Sequence, residues 1–362
     1  MFRFILIGFV IIGLMPLASN AQTDSIGKLS LSGYLEVYAT RDINATPTNE
    51  RPGFFFNYRR TNEVAVNLAY LKAYYETNRT RMSLGLMAGN YVQYNMASEP
   101  PTLRPLYEAY AGVKLSTTKD IWLDAGVLPS HIGMESPEGK NQWTLTRSLA
   151  GETTPYYETG LRLLYRTQNK HWLMGLYVLN GWQHIQRIEA NSTPSFGTQL
   201  TYTPSDKFLV NYSTFIGNEF PDSAQQWRYF NNLYSVFSLS ERWSMNVGFD
   251  IGFEQRAPSS ATYNIWYTPY MNLRYQFATK WFACVRGEYY SDRNQVIAKT
   301  KTSNGFQTLG YSLNVDCAIT SKAMWRIEYR GFNSKDAIFY GTTDKTQSNF
   351  YNGFTTCLAF SF

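Results

Sequence analysis

The stretch WSMNVGFDIGFE, residues 243–254, decides the fold. Trp243, Met245, Val247, Phe249, Ile251 and Phe253 share one face, while Ser244, Asn246, Gly248, Asp250, Gly252 and Glu254 share the other. A period of two is that of a β-strand. Some ten steps of about 3.3 Å, tilted by roughly 45°, rise about 23 Å, close to the ~25 Å apolar band of a membrane-spanning barrel. One such strand crosses a bilayer.

The pattern recurs in Ile265, Tyr267, Pro269, Met271, Leu273, Tyr275 and Phe277, in Leu309, Tyr311, Leu313, Val315, Cys317 and Ile319, and in Phe354, Thr356, Leu358, Phe360 and Phe362. Pro269 lacks a ladder donor, which predicts a bulge there. The second strand begins near Asn62 and runs through Val64, Val66, Leu68 and Tyr70 before Lys72 breaks the phase. Strands open repeatedly on a cation beside a ring: Lys170-His171-Trp172, Lys207-Phe208, Arg242-Trp243, Lys280-Trp281 and Lys322-Ala323-Met324-Trp325. That pairing marks the headgroup level.

Connections give an independent count. Short polar links stand at 78–80, 117–119, 168–170, 204–206, 240–242, 278–280 and 320–322. Longer polar segments lie near 41–61, 94–104, 129–155, 183–195, 218–227, 256–263, 293–305 and 334–348. Short inner turns alternating with long outer loops predict an all-β, antiparallel, up-and-down transmembrane β-barrel of about 16 strands, the first starting near Lys28. That start leaves little length for an N-terminal plug.

A soluble sandwich or lipocalin-like barrel also alternates, but with its apolar face inward. Closed in one ring, about sixteen strands would leave an interior too wide for apolar side chains to fill. A two-sheet sandwich escapes that objection, yet it leaves the rings beside cations at the turns unexplained.

Arg3, the apolar run 4–15 and Ser19-Asn20-Ala21 read as a signal peptide, residues 1–21, cut before Gln22, with the barrel over 22–362. The apolar run is too short for a membrane helix, which needs about 20 residues. A mean hydropathy of -0.33 looks soluble, but averaging two faces hides a lipid-facing one. Losing Arg3 with the leader takes 33 basic residues to 32 against 27 acidic, a formal charge of +5, without a basic run that would suggest nucleic acid. Cys284, Cys317 and Cys357 are too few and too badly placed for a disulfide framework, since alternation turns Cys317 away from the other two.

The inward phase holds the charges: Glu36, Asp124, Glu158, Arg162, Arg166, Asp250, Glu254, Arg274, Arg286, Glu288, Asp316, Arg326, Glu328 and Arg330. Each basic group would cost about 2 to 4 kcal/mol facing lipid at mid-depth, which fixes the wet face. They read as solvated wall residues in lumenal ion pairs. More sharply, Arg286, Arg326 and Arg330 form a positive stripe if neighbouring strands register.

The longest outer segment, 129–155, carries Ser130, His131, Glu135, Glu138, Lys140, Trp143, Arg147 and Glu152. A segment of this length without strand pattern is functional or disordered. It follows the fifth strand, where porins carry a constriction loop, and is expected to fold into the lumen with Glu135 and Glu138, flanked by Lys140 and Arg147, across from the arginine stripe. An external lid is the alternative. Adjacent Ser130 and His131 make a poor hydrolase dyad because neighbours point apart. With His171 and His184 scattered, neither catalysis nor a metal or cofactor site is expected. Inward Tyr34, Tyr38, Trp266, Tyr270, Tyr290 and Tyr351 could form a slide for sugar rings, with Phe54, Phe55, Phe56 and Tyr58 capturing the ligand outside. The other reading makes most of these rings girdle residues near the strand ends.

Several runs, taken in order, resemble the β-barrel porin family described as OmpL-like. They are DAGVLPSHIGMES (124–136), GKNQWTLTRS (139–148), PYYETG (155–160), LNGWQ (179–183), RGEYYSDRNQV (286–296) and RIEYRGFNSKDAIF (326–339). The resemblance implies a bacterial outer-membrane location and a pore, and carries over no functional residue. Together these readings predict a passive channel for small hydrophilic solutes or ions, in contact with outer-membrane lipid. A saccharide-selective channel, or a barrel for surface binding or adhesion, is the alternative, and a homotrimer is the candidate assembly.

Overall fold

The structure, a computed structural model, describes residues 27–342 and 346–362. The expected leader lies outside the described residues. The strands are β1 (Lys28–Asp42), β2 (Val64–Glu76), β3 (Thr80–Ala88), β4 (Leu106–Lys114), β5 (Asp120–Pro129), β6 (Tyr157–Arg166), β7 (Trp172–Leu179), β8 (Ser195–Ser205), β9 (Phe208–Asn218), β10 (Trp227–Ser238), β11 (Trp243–Gln255), β12 (Tyr263–Ala278), β13 (Trp281–Asp292), β14 (Phe306–Ala318), β15 (Ala323–Ser334) and β18 (Phe350–Ser361). Two short strands, β16 (Phe339–Tyr340) and β17 (Gln347–Ser348), make a hairpin in the last outer loop. The other sixteen pair antiparallel, each with its neighbours in sequence, and β1 pairs with β18 to close the barrel. Closure leaves no unpaired edge, which a spanning sheet requires in lipid. Two short helices, α1 (Asn90–Asn95) and α2 (Leu149–Thr153), lie in the outer connections after β3 and β5.

Leu84, Leu176, Phe249, Met271, Leu313 and Phe360 are exposed on the outer face. At the inner rim, rings on neighbouring strands stack in pairs: Trp172 on Tyr202 at 4.3 Å, Trp243 on Tyr275 at 4.4 Å and Phe208 near Phe237 at 5.3 Å. These rings follow the cation-bearing turns and form the girdle. Cys284 and Cys357 are buried, Cys317 is half-buried, and all three are free thiols.

Two local expectations are corrected. The phase break in β2 is a bulge: Glu36 faces Leu68 while Val37 faces Val66, so Asn67 is the extra residue. Beyond it Leu68 and Tyr70 turn inward and are buried, and Leu71 takes the outer face. The bulge aims Asn67 inside, where its Nδ2 donates to Glu36 at 2.8 Å and its Oδ1 accepts from the Tyr58 N–H at 3.0 Å. Pro269 makes no bulge. Phe249 pairs with it on one side, and on the other Tyr267 faces Ser291 and Tyr270 faces Glu288 in one register.

Candidate functional site

The segment after β5 turns into the barrel. Gly126 and Gly160 face each other at its base with φ of 136° and 156°, and a Cβ on either would meet a neighbouring carbonyl oxygen, 2.1 Å from Ala109 O and 2.0 Å from Val178 O. That close backbone approach admits only glycine. His131 fixes the entry. One ring nitrogen lies 2.7 Å from Glu158, the other 2.9 Å from the Thr214 carbonyl, and the ring stacks on Tyr177 at 4.0 Å. Ser213 Oγ donates to the His131 carbonyl at 2.7 Å, and the Gly133 N–H donates to Asn232 at 3.2 Å, carrying the chain across to β9 and β10.

The tip then runs down the wall formed by β13, β14, β15, β18 and β1. Arg286 donates to Thr144 Oγ1 at 2.6 Å, the Thr146 carbonyl at 2.8 Å and Glu328 at 2.9 Å. Arg330 donates to Thr146 Oγ1 at 2.9 Å, the Arg147 carbonyl at 2.8 Å and Glu288. Arg326 binds Asp316 at 2.6 Å and reaches the carbonyls of Gly139 and Gln142. Backbone N–H groups of the segment donate in return, Leu145 to Asn314 at 2.9 Å, Leu149 to Glu288 at 2.6 Å, and Thr146 to Glu328. Lys140 Nζ reaches Ser361 Oγ at 2.6 Å and the carbonyl of Ser321, in an inner turn, at 2.7 Å. The tip therefore extends to the inner rim. At Gly139 a Cβ would lie 2.0 Å from Glu36 Oε1, so any side chain there would push the tip off the wall.

The segment lies along the inner wall, and its charges are arranged differently from the expected pattern. Arg286, Arg326 and Arg330 are buried and matched by Glu288, Glu328 and Asp316, so they form no free positive stripe. They clamp the segment to the wall with charge-assisted hydrogen bonds. Glu135 acts on Arg286 by charge, but neither Glu135 nor Glu138 forms an ion pair with the three arginines among the described residues. Glu135 accepts from the Ser148 N–H at 2.9 Å and Oγ at 2.6 Å, within its own segment. Glu138 accepts from Tyr70 at 2.7 Å and Tyr107 at 3.2 Å. Arg147 donates to the Pro137 carbonyl at 2.6 Å.

Elsewhere, Arg162 and Arg81 share Asp124 at 2.9 and 2.7 Å, Glu254 pairs with Arg228 at 2.6 Å, and Asp250 accepts from Asn232. Arg274 lies over the Phe282 ring at 4.2 Å. Among the described residues, neither Arg274 nor Arg166 has a carboxylate within ion-pair distance. Lys72, Tyr74, Arg81, Tyr110 and Lys114 are partly exposed on the wall of β2–β4, and Arg166 is exposed at the end of β6. Sequence reading passed over Arg81 and Arg228, although both sit in the inward phase of their strands.

The aromatic slide is not formed. Tyr34, Tyr38, Trp266, Tyr270, Tyr290 and Tyr351 are all buried, so none offers a free face, and Phe55 and Tyr58 are buried too. Phe54 and Phe56 keep partial exposure. Ser130 Oγ accepts from the Ile132 N–H at 3.0 Å and makes no dyad with His131. His184 pairs with Glu219 at 3.0 Å in the outer loops.

The model of the family described as "Putative beta-barrel porin-2, OmpL-like" matches residues 28–362. Among solved structures, the anion-selective porin of Comamonas acidovorans is similar at 7% identity and a TM-score of 0.60, over 93% of this chain and 100% of that one. The trimer form of Vibrio cholerae OmpT gives 10% and 0.59 over 93% and 100%. Salmonella typhi OmpF, in complex with daunomycin, gives 11% and 0.61 over 93% and 98%. No curated protein matches.

Proposed function

The chain belongs to the OmpL-like β-barrel porin-2 family, and from that premise we propose how this outer-membrane porin selects what passes and how it assembles. The molecule is a diffusion channel of the bacterial outer membrane, and its family and fold point to a non-enzymatic channel. Its cargo is small hydrophilic solutes and ions, and its preference is for anions. One observation carries this reading: of the inward charges read from the sequence, the two that are not buried, Arg166 and Arg274, are both arginines without a carboxylate at ion-pair distance among the described residues, and both lie in the inner half. A matched ion pair projects little field, whereas an unmatched cation beside water raises the local concentration of anions. In a planar bilayer under a salt gradient, the wild type should give an anion-side reversal potential. Arg166→Ser with Arg274→Ser should move it toward cations. An unmoved potential removes these two residues from selectivity.

The assembly is a homotrimer packed through β2–β5. There the outer face carries Ala69, Ala73, Ala88, Ala109, Ala111 and Ala125 and, apart from Tyr75, no ring, whereas β7–β13 carry paired girdle aromatics. A face that meets lipid headgroups is expected to carry that girdle, and small side chains let two walls approach. Ala111→Trp should convert the detergent-solubilised oligomer to monomer, as read by chemical cross-linking. A wild type that is already monomeric counts against the trimer.

A further inference from the structure

Above the inward segment the outer loops enclose a cavity of about 670 Å³, within the roughly 300–1,000 Å³ of sites that hold small molecules. Its floor is the end of α2 and the residue after it, Glu152 to Thr154, and its walls come from the loop before β2, the loop between β13 and β14, the loop after β7 and the last outer loop, between β15 and β18. The first wall is rigid. Phe54 packs against Phe306 at 4.9 Å and Phe332 at 5.5 Å, and the Phe56 N–H is held by Glu152 at 2.9 Å. The lining rings that keep exposed surface are Phe54, Phe56, Trp182 and Tyr340.

The polar groups set the ligand's charge. Arg51, Arg59 and Lys299 are balanced by Asp42, Glu50 and Glu152, with Arg51 on Asp42 at 3.0 Å and Arg59 on Glu50 at 3.1 Å, so the vestibule offers an ionic solute no net charge. Open hydrogen-bonding capacity remains. Glu152, buried at the floor, accepts through Oε2 from the Phe56 N–H at 2.9 Å and Asn57 at 3.3 Å, while its Oε1 has no partner. Arg59 Nε is likewise unpartnered. Asn95 and Gln183 add amides to the lining. A buried polar atom without a partner is costly, and a ligand hydroxyl would relieve it.

We infer that this vestibule binds a neutral, ring-shaped polyhydroxyl solute, a saccharide of one or two pyranose units, before it meets the inward segment. A pyranose offers a face of C–H groups to lie on the Phe56 or Trp182 ring and a rim of hydroxyls for Glu152, Asn95 and Gln183. The inference rests on the channel reading for its effect on current, but binding itself does not require conduction. Because α2 is both the cavity floor and part of the inward segment, occupancy interrupts ion flow.

The test uses the full-length barrel in planar bilayers and in detergent micelles. Maltose is the probe, and sorbitol, a polyol without a ring, is the control. Outer-side maltose should interrupt single-channel current and change tryptophan fluorescence saturably, and sorbitol should do neither. Phe56→Ala should weaken the maltose response by about tenfold, the equivalent of about 1.4 kcal/mol. Should Phe56→Ala not assemble, Glu152→Gln is read in its place with the same expectation. A channel that conducts ions but shows neither response to maltose overturns the site and leaves the channel standing. A barrel that binds maltose without conducting overturns the channel and leaves the site. Equal responses to sorbitol and maltose overturn the assignment of a ring-shaped ligand.

Discussion

Two parts of one barrel wall hold charge in opposite ways. Along β13–β18, Arg286, Glu288, Asp316, Arg326, Glu328 and Arg330 are buried, paired with one another and bonded to the 129–155 segment. Along β2–β6, Lys72 pairs with Glu108 at 3.4 Å and Arg81 lies over Trp122 at 4.3 Å, both partly exposed, and Arg166 is exposed. Inward orientation is common to both. What separates them is whether a protein chain or water occupies the space in front. Lumenal charge counts toward selectivity only where water reaches it, and elsewhere it holds structure.

The comparison breaks most readily at the tip. Replacing residues 139–147 with a short Gly-Ser link should raise single-channel conductance several-fold, because the tip covers the β13–β18 wall down to Ser321. An unchanged conductance would mean the tip does not narrow the path. Next in size, Arg286→Met leaves Glu328 short of its partner inside the dry wall. Breaking a buried pair costs about 3–5 kcal/mol, so the thermal unfolding temperature in detergent should fall, while Arg166→Ser should leave it unchanged. Similar Tm values for the two variants would erase the distinction. Smaller is the contrast in reversal potential, which should follow Arg166→Ser and Arg274→Ser but not Arg326→Ser.

The smallest effect is a pH dependence of the outer loops. Burial pushes the Glu152 carboxyl up to about 7, against the Phe56 N–H, Asn57 and Arg147, which favour its charged form, while Glu135 opposes it. The folded state therefore favours the proton. The contact between α2 and the loop before β2 is firmest on the acid side and weakens as pH rises through 7. Protease clipping of residues 43–63 should be faster at pH 8 than at pH 6, and Glu152→Gln should flatten the difference. Equal clipping in the wild type at both values rules the dependence out.

Much of this was legible in the residues. The alternation of 243–254 became β11, and the short links at 78–80 and 278–280 became inner turns, because strand period and turn chemistry are local. The bulge at Asn67 was not legible, since an extra residue shows only against its partner strand. Nor was the fate of the arginines. Alternation put Arg286 and Arg330 on one face, and register places both opposite Ser312. The Thr146 carbonyl that Arg286 holds is 140 residues away in sequence, and no local pattern encodes such a contact. The same holds for the buried tyrosines, whose inward phase was visible but not the chain that covers them.

The central claim is that water lies against the inner half of β2–β6 and protein against β13–β18. It is tested most directly by thiol accessibility in a conducting channel with Cys284, Cys317 and Cys357 changed to Ala. Lys114→Cys and Arg166→Cys should react with an anionic methanethiosulfonate and lower the current, while Ser312→Cys and Thr355→Cys, at buried positions, should leave it unchanged. Block at Ser312→Cys and Thr355→Cys as fast as at Lys114→Cys and Arg166→Cys would contradict the account.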